Sequence, residues 1–303
     1  MKIVQGDEQP VITGRNTRQG NLDKRYILTG DETSLGNFVM GLYYQSGDFY
    51  APRHRHNFDQ WRYQIEGEVG FGRHGVMKPG TLGYFPEGSW YGPNDHPNEP
   101  DAPNTTLLIQ FGGPSGSGYP SQNQVYKAYA EMQQFGRFEQ GVFHRNEGVP
   151  GKKTQDSFHA TWEYLSGRPL VYPKPQYDGP IMMETGNYRW MPLPGAPGVE
   201  EKAYGTFTDC AIRSASYKLD PGASLDATGR GIFMVLSGRG SLGGEAYRQY
   251  TTMYLETGER ATYTAAETTE VIMLGLPEVA RIRVPLPHDI DAAVDEELAE
   301  AEA

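Results

Sequence analysis

The sequence predicts an all-β protein made of two tandem β-barrels joined by a short helical connector. Three observations point there. Short apolar and aromatic runs, punctuated by Gly, Pro, Asn and Asp, fill 41–111 and return at 181–285, which is the spacing of many short strands. The 303 residues include 38 glycines and 22 prolines, a turn-rich composition. The two β-rich stretches also repeat. Gln64-Ile65-Glu66-Gly67 matches Val235-Leu236-Ser237-Gly238 at an offset of 171, and Gly83-Tyr84-Phe85-Pro86 matches Met253-Tyr254-Leu255-Glu256 at an offset of 170. A near-constant offset over two segments marks an internal duplication.

The length accommodates two ordinary domains. The predicted boundaries are a first barrel at 1–112, a connector at 113–180, a second barrel at 181–286 and an acidic tail at 287–303. In the first barrel, strands are predicted at Tyr63-Gln64-Ile65, Val69-Gly70-Phe71, Leu82 to Phe85 and Thr106 to Phe111. The connector opens on Gly-Pro-Ser-rich sequence from Gly112 to Gln122. A helix follows, with Val125, Tyr129 and Met132 on one face, and a second runs from Ser157 to Leu165 with Phe158, Trp162 and Leu165 on one side. Pro169 to Pro180 reads as extended. The second barrel offers strands at Ile232 to Leu236, Met253 to Leu255 and Val271 to Leu274.

Net charge is −11, but seven of the 38 acidic residues lie in the tail from Leu286 onward. The remaining 31 acids against 27 basic residues leave the body near −4. No basic patch stands out, so nucleic acid is not an expected partner. No apolar run approaches the ~20 residues that span a membrane. The segment Met1 to Asp7 lacks the apolar core of a signal peptide, so a cytoplasmic protein is expected. Cys210 is the only cysteine, which excludes an intrachain disulfide and a cysteine-based zinc cluster. Gly238-Arg239-Gly240-Ser241-Leu242-Gly243 spells a dinucleotide fingerprint, but no helix opens after it.

His54-Arg55-His56 is the sharpest chemical feature. On a strand, residues two apart share a face, so both imidazoles would point into the barrel and grip one divalent metal. If Gln60 also points inward, so do Arg62 and Gln64, while Trp61, Tyr63 and Ile65 pack on the other face. An inward Arg62 needs an acceptor: an acidic substrate group, or a protein acid such as Glu66 or Asp59. Without a metal, His54 and His56 would be hydrogen-bonded residues of the barrel wall.

These residues resemble the cupin superfamily. Its first motif is a Gly, then His-x-His, a Glu and a Gly; this chain has Gly47, His54, His56, Gln60 and Gly67. Its second runs Gly, Pro-x-Gly, His and Asn; here stand Gly80, Pro86, Gly88, Tyr91 and Asn94. The resemblance covers about 45–95, and it extends to the second half only through the repeat. It implies a bicupin, two double-stranded β-helix barrels. It also implies a metal among iron, manganese, nickel, zinc and cobalt, held by His54, His56, Gln60 and Tyr91. Gln60 replaces the family carboxylate and Tyr91 the third His, with His96 an alternative to Tyr91. By the repeat, Leu225, Ala227 and Gly231 fall at the positions of His54, His56 and Gln60, and Ala261 or Thr262 at that of Tyr91. The second barrel is therefore expected to be metal-free.

Two functions are expected from this. The first is a metal-dependent oxygenase, isomerase or lyase acting on a small polar or acidic metabolite, with Tyr91 as general acid/base and Arg62 as substrate anchor. The second is a non-catalytic small-molecule-binding bicupin, a sensor or storage-type protein. Either reading is compatible with a homodimer.

Overall fold

A computed structural model describes residues 1–13, 20–95 and 102–283. The predicted acidic tail and His96 lie outside the described residues. Two antiparallel sheets dominate. One has six strands in the order Ile181–Glu184, Thr81–Phe85, Asp59–Glu66, Thr105–Phe111, Phe38–Gln45 and Leu22–Thr29. The other has seven, in the order Lys2–Gln5, Thr251–Leu255, Gly231–Ser237, Thr269–Gly275, Arg213–Leu219, Val199–Thr206 and Met191–Pro192.

Strand alternation decides how these sheets meet. Trp61, Leu82, Tyr84 and Ile109 of the first share one apolar cluster with Ile232, Met234, Ile272 and Leu274 of the second. This cluster is the seam between the two halves. The intervening residues Phe233, Val235, Val271 and Met273 turn the other way and pack with Leu225, Ala227, Leu242 and Tyr263. Those last residues come from a four-stranded sheet of Ser224–Thr228, Arg260–Ala265, Gly240–Leu242 and Glu245–Tyr247. The matching wall of the first barrel is built from shorter pairings. These are Val69–Gly70 with Val76–Met77, and single bridges joining Ala51 to Asn94 and His54 to Tyr91.

The predicted duplication has a structural counterpart in its irregularities. Asp59–Glu66 bulges against Thr105–Phe111 between Gln64 and Glu66, and Gly231–Ser237 bulges against Thr269–Gly275 between Val235 and Ser237. Each bulged strand is followed by a glycine with positive φ, 73° at Gly67 and 97° at Gly238. A side chain would strain both positions.

The connector carries the two predicted helices, Gln122–Met132 and Ser157–Ser166. Ser121 and Gln124 form a capping box on the first, and Asp156 caps the second by accepting from the Phe158 and His159 amides. Between the helices lies a three-stranded sheet of Gly136–Glu139, Val142–Arg145 and Thr154–Asp156, which the sequence did not announce. Strands of three or four residues are too short to show a period.

The expected boundaries at 112 and 181 are crossed at both ends. Lys2–Gln5 pairs with Thr251–Leu255 in the sheet of the second half. Ile181–Glu184 pairs with Thr81–Phe85 in the sheet of the first. Each covers an edge that would otherwise expose unpaired backbone groups. Among the described residues no helix is long and apolar enough to cross a membrane.

Candidate functional site

The alternation expected around Gln60 is what the strand Asp59–Glu66 adopts. Gln60, Arg62 and Gln64 are buried on one face, while Trp61 lies in the seam with Tyr63 and Ile65 against it. Arg62 sits opposite Gly83 on the neighbouring strand. A Cβ there would lie 2.7 Å from the Phe85 ring, so the bare glycine lets Phe85 lean in beside the guanidinium.

Arg62 is 7% exposed and organises its surroundings. Its Nε and Nη2 donate to Gln60 Oε1 at 3.1 and 2.9 Å. Gln60 Nε2 in turn donates to Tyr91 OH at 2.8 Å. The guanidinium lies 4.7 Å from the Phe85 ring centre, 5.1 Å from Phe71 and 5.5 Å from Tyr91. Such desolvated cation–π contacts are worth about 2 kcal/mol and offset part of the burial cost. Burial pushes the Arg62 pKa below its usual value, and the neighbouring phenols of Tyr91 and Tyr43 oppose that shift. Arginine nevertheless stays charged. Among the described residues no carboxylate forms an ion pair with it. Asp59 instead accepts from Tyr84 OH and the Glu87 amide, and Glu66 is exposed. Deeper in, Gln64 donates to Asn104 Oδ1 and accepts from the Thr106 hydroxyl.

His54 and His56 do not lie on a regular strand, contrary to the expectation. His54 makes a single bridge with Tyr91, exchanging both backbone hydrogen bonds at 3.0 Å. The rings still converge: His54 and His56 are 5.0 Å apart between centroids, and His54 and Tyr91 are 4.6 Å apart. His54 Nδ1 lies 2.6 Å from Pro52 O. A carbonyl can only accept, so Nδ1 carries the proton, and in the neutral ring Nε2 is the acceptor.

The connector closes over this group, which sequence reasoning missed. His56 stacks on Phe58 at 4.4 Å and meets the edge of Phe158, from the helix Ser157–Ser166, at 4.9 Å. Beyond His56 lies a cavity of about 130 Å3, lined also by Lys24, Tyr119 and Tyr126. Burial holds the Lys24 ammonium down at about 8. At the surface, Arg53 and Arg55 lie 4.9 and 5.0 Å from the Trp90 ring, and Arg55 lies 4.0 Å from that of Tyr172. The surroundings are therefore cationic and aromatic. Only the His-Arg-His run and Arg62 hinted at this in the sequence.

The second barrel has no such group. Leu225, Ala227 and Ala261 are buried in its apolar core. What is a polar interior in one half is filled with hydrocarbon in the other.

The four residues expected to hold a divalent metal do not fit one as a set. Gln60 Oε1 already accepts twice from Arg62, and turning the amide over would press its NH2 against the guanidinium. A divalent ion about 4 Å from that fixed charge would be repelled by about 8 kcal/mol at an effective dielectric constant of ~20. Among the described residues no carboxylate pairs with Arg62 to offset this. Among the described residues no group of three or more His, Cys, Asp and Glu side chains is placed to hold a metal. Gln60 and Tyr91 form a hydrogen-bonded shell around Arg62.

No family model matches the chain, and no curated protein sequence does so. Solved structures do. A putative dioxygenase from Nostoc punctiforme superposes with a TM-score of 0.60 at 10% identity, covering 94% of this chain and 87% of that one. A putative glyoxylate-induced protein from Pseudomonas aeruginosa gives 0.55 at 11% identity, covering 91% and 86%. Oxalate decarboxylase from Bacillus subtilis gives 0.52 at 16% identity, covering 91% and 78%. The chain shares the fold of these structures, two tandem antiparallel β-barrels. At these identities the likeness speaks to architecture, and the function has to be argued from the residues.

Proposed function

We propose that the first barrel binds a small metabolite carrying a carboxylate or comparable oxyanion, with Arg62 as its anchor. The observation that carries this reading is a buried guanidinium whose acceptors, Gln60 and Tyr91, are both formally neutral. A buried charge without a counter-charge is costly, and an incoming anion removes that cost. The Arg fork suits a carboxylate held by two parallel hydrogen bonds. Tyr91 beside Arg62, and His54 against Tyr91, would meet polar groups on the rest of the molecule. Arg53 and Arg55 near the surface would draw an anion inward. Of the two expected functions this favours small-molecule binding, because the metal-dependent reading, centred on His54 and His56, leaves the buried charge of Arg62 beside the site uncompensated.

The test is calorimetric titration with a panel of small mono- and dicarboxylates, on protein purified without chelator and analysed for metal. Binding by at least one member, lost in Arg62→Leu and preserved in metal-free protein, is expected. Stoichiometric metal that is required for binding, or unchanged affinity in Arg62→Leu, overturns the proposal.

A further inference from the structure

A second polar centre lies at the seam, on the opposite face of the same strand. Asp59 is fully buried and Glu87 is 8% exposed. Both border a cavity of about 490 Å3 between the two halves. Asp59 accepts from Tyr84 OH and from the Glu87 amide, each at 2.7 Å. Glu87 accepts from the amide and the hydroxyl of Ser115, each at 2.7 Å. A Cβ on Gly113 would lie 2.4 Å from Glu87 Oε2 and 3.2 Å from Asp59 Cγ. The two carboxyls therefore converge on one bare glycine.

No described basic side chain forms an ion pair with either acid, and none contributes to their titration. Burial pushes both carboxyls well above the usual range, and for Glu87 the Asp59 charge pushes further. Two buried acids without a cation must hold protons or receive a positive ligand. From the other half of the molecule, Thr208 faces the same cavity. It is 7% exposed, and its hydroxyl has no hydrogen-bond partner. An orphaned buried hydroxyl is a group waiting for a ligand atom or an ordered water. Lys174 and Arg283 also line the cavity and are exposed, with Arg283 donating to Asp209 at 2.6 Å. The cavity thus has two buried carboxyl groups on one side and the exposed side chains of Lys174 and of the Arg283–Asp209 pair on the other. Its volume is that of a small-molecule site rather than of a single ion.

We infer that this seam cavity binds a small zwitterion, a primary ammonium group seated against Asp59 and Glu87 and an oxyanion directed towards Lys174 and Arg283. Thr208 supplies a hydrogen bond from the second half, so the ligand would bridge the two barrels. Ammonium binding needs Glu87 ionised, so it releases a proton below the raised folded value of that carboxyl and tightens as pH rises.

The experiment titrates the full chain with a homologous series of ω-amino acids, from glycine upward, and with the matching alkylamines. It is run in buffers of different ionisation enthalpy and repeated in an Arg62→Leu background, which separates this site from the first barrel. At least one ω-amino acid should bind more tightly than its alkylamine and release protons. Glu87→Gln should weaken it by about tenfold to a hundredfold, as expected for loss of a charge-assisted contact, and Arg62→Leu should leave it unchanged. If circular dichroism shows Glu87→Gln misfolded, Thr208→Val carries the test and should weaken binding several-fold. Absence of binding by the whole series, affinity indifferent to both variants, or a site that takes calcium chloride but no amine overturns the inference.

Discussion

Replacing Gln60 by Glu changes one atom type and tests the whole site. Arg62 already directs Nε and Nη2 at Gln60 Oε1 at 3.1 and 2.9 Å, so a carboxylate would meet a fork in place. Both bonds are already assisted by the guanidinium charge, and a carboxylate acceptor would strengthen each by a further ~0.5–2 kcal/mol as an ion pair. The gain of about 1–4 kcal/mol is opposed by several kcal/mol for desolvating the new carboxylate. Folding stability should therefore move by no more than about 2 kcal/mol. Ligand binding should move much further, because Arg62 would be neutralised from within. Removing the partner of a buried charge costs about 2–5 kcal/mol, or about thirtyfold to a few thousandfold in affinity. Titration of Gln60→Glu with the best carboxylate of the panel measures this, with thermal melting as the control. Affinity within about twofold of the parent protein would refute the anchoring role of Arg62. Tight stoichiometric binding of a divalent metal by the variant would show that Arg62 yields to a cation, and that the site is a metal centre lacking only its acid.

Three further outcomes are expected. Trp61→Phe removes the donor to Gly275 O, 2.9 Å away across the seam, and leaves a gap in a fully buried cluster; urea unfolding should show a loss of about 2–4 kcal/mol in a single transition, and a loss under about 1 kcal/mol contradicts the seam as the main joint. Glu87 holds its proton more tightly folded than unfolded, so its own contribution to stability is full on the acid side of its ordinary value of 4.5 and is lost as pH rises towards its raised folded value; the difference in melting midpoint between the parent protein and Glu87→Gln should change across that range, and parallel profiles count against the buried pair. Asp156→Ala strips the cap from the helix Ser157–Ser166 and should cost about 1 kcal/mol, visible as a lower melting midpoint.

The fold was legible where physics writes with a period. Alternation placed Gln60, Arg62 and Gln64 together, and the repeat offset foretold two strands that bulge at matching positions. The capped helices Gln122–Met132 and Ser157–Ser166 were readable for the same reason. The strand partners of Lys2–Gln5 and Ile181–Glu184 were not, because a four-residue strand carries a face but no address. The site was legible as a set of residues and not as a chemistry. Whether Gln60 serves a metal or a guanidinium depends on two hydrogen bonds made by a residue two places along. The pair Asp59 and Glu87 was missed altogether. Asp59 shares the outward face of Trp61, where an acid reads as solvent-exposed, and only the second half of the molecule makes that face an interior.

One sheet strand waits long for its partner. Lys2–Gln5 pairs with Thr251–Leu255, which follows it only after every strand of the six-stranded sheet. Ile181–Glu184 likewise finishes a sheet whose other strands end at Phe111. The two edges therefore close at different stages. The edge at Thr81–Phe85 is covered once Ile181–Glu184 is in place, whereas the edge at Thr251–Leu255 is covered only when a very long loop closes, with its entropy lost in that one step.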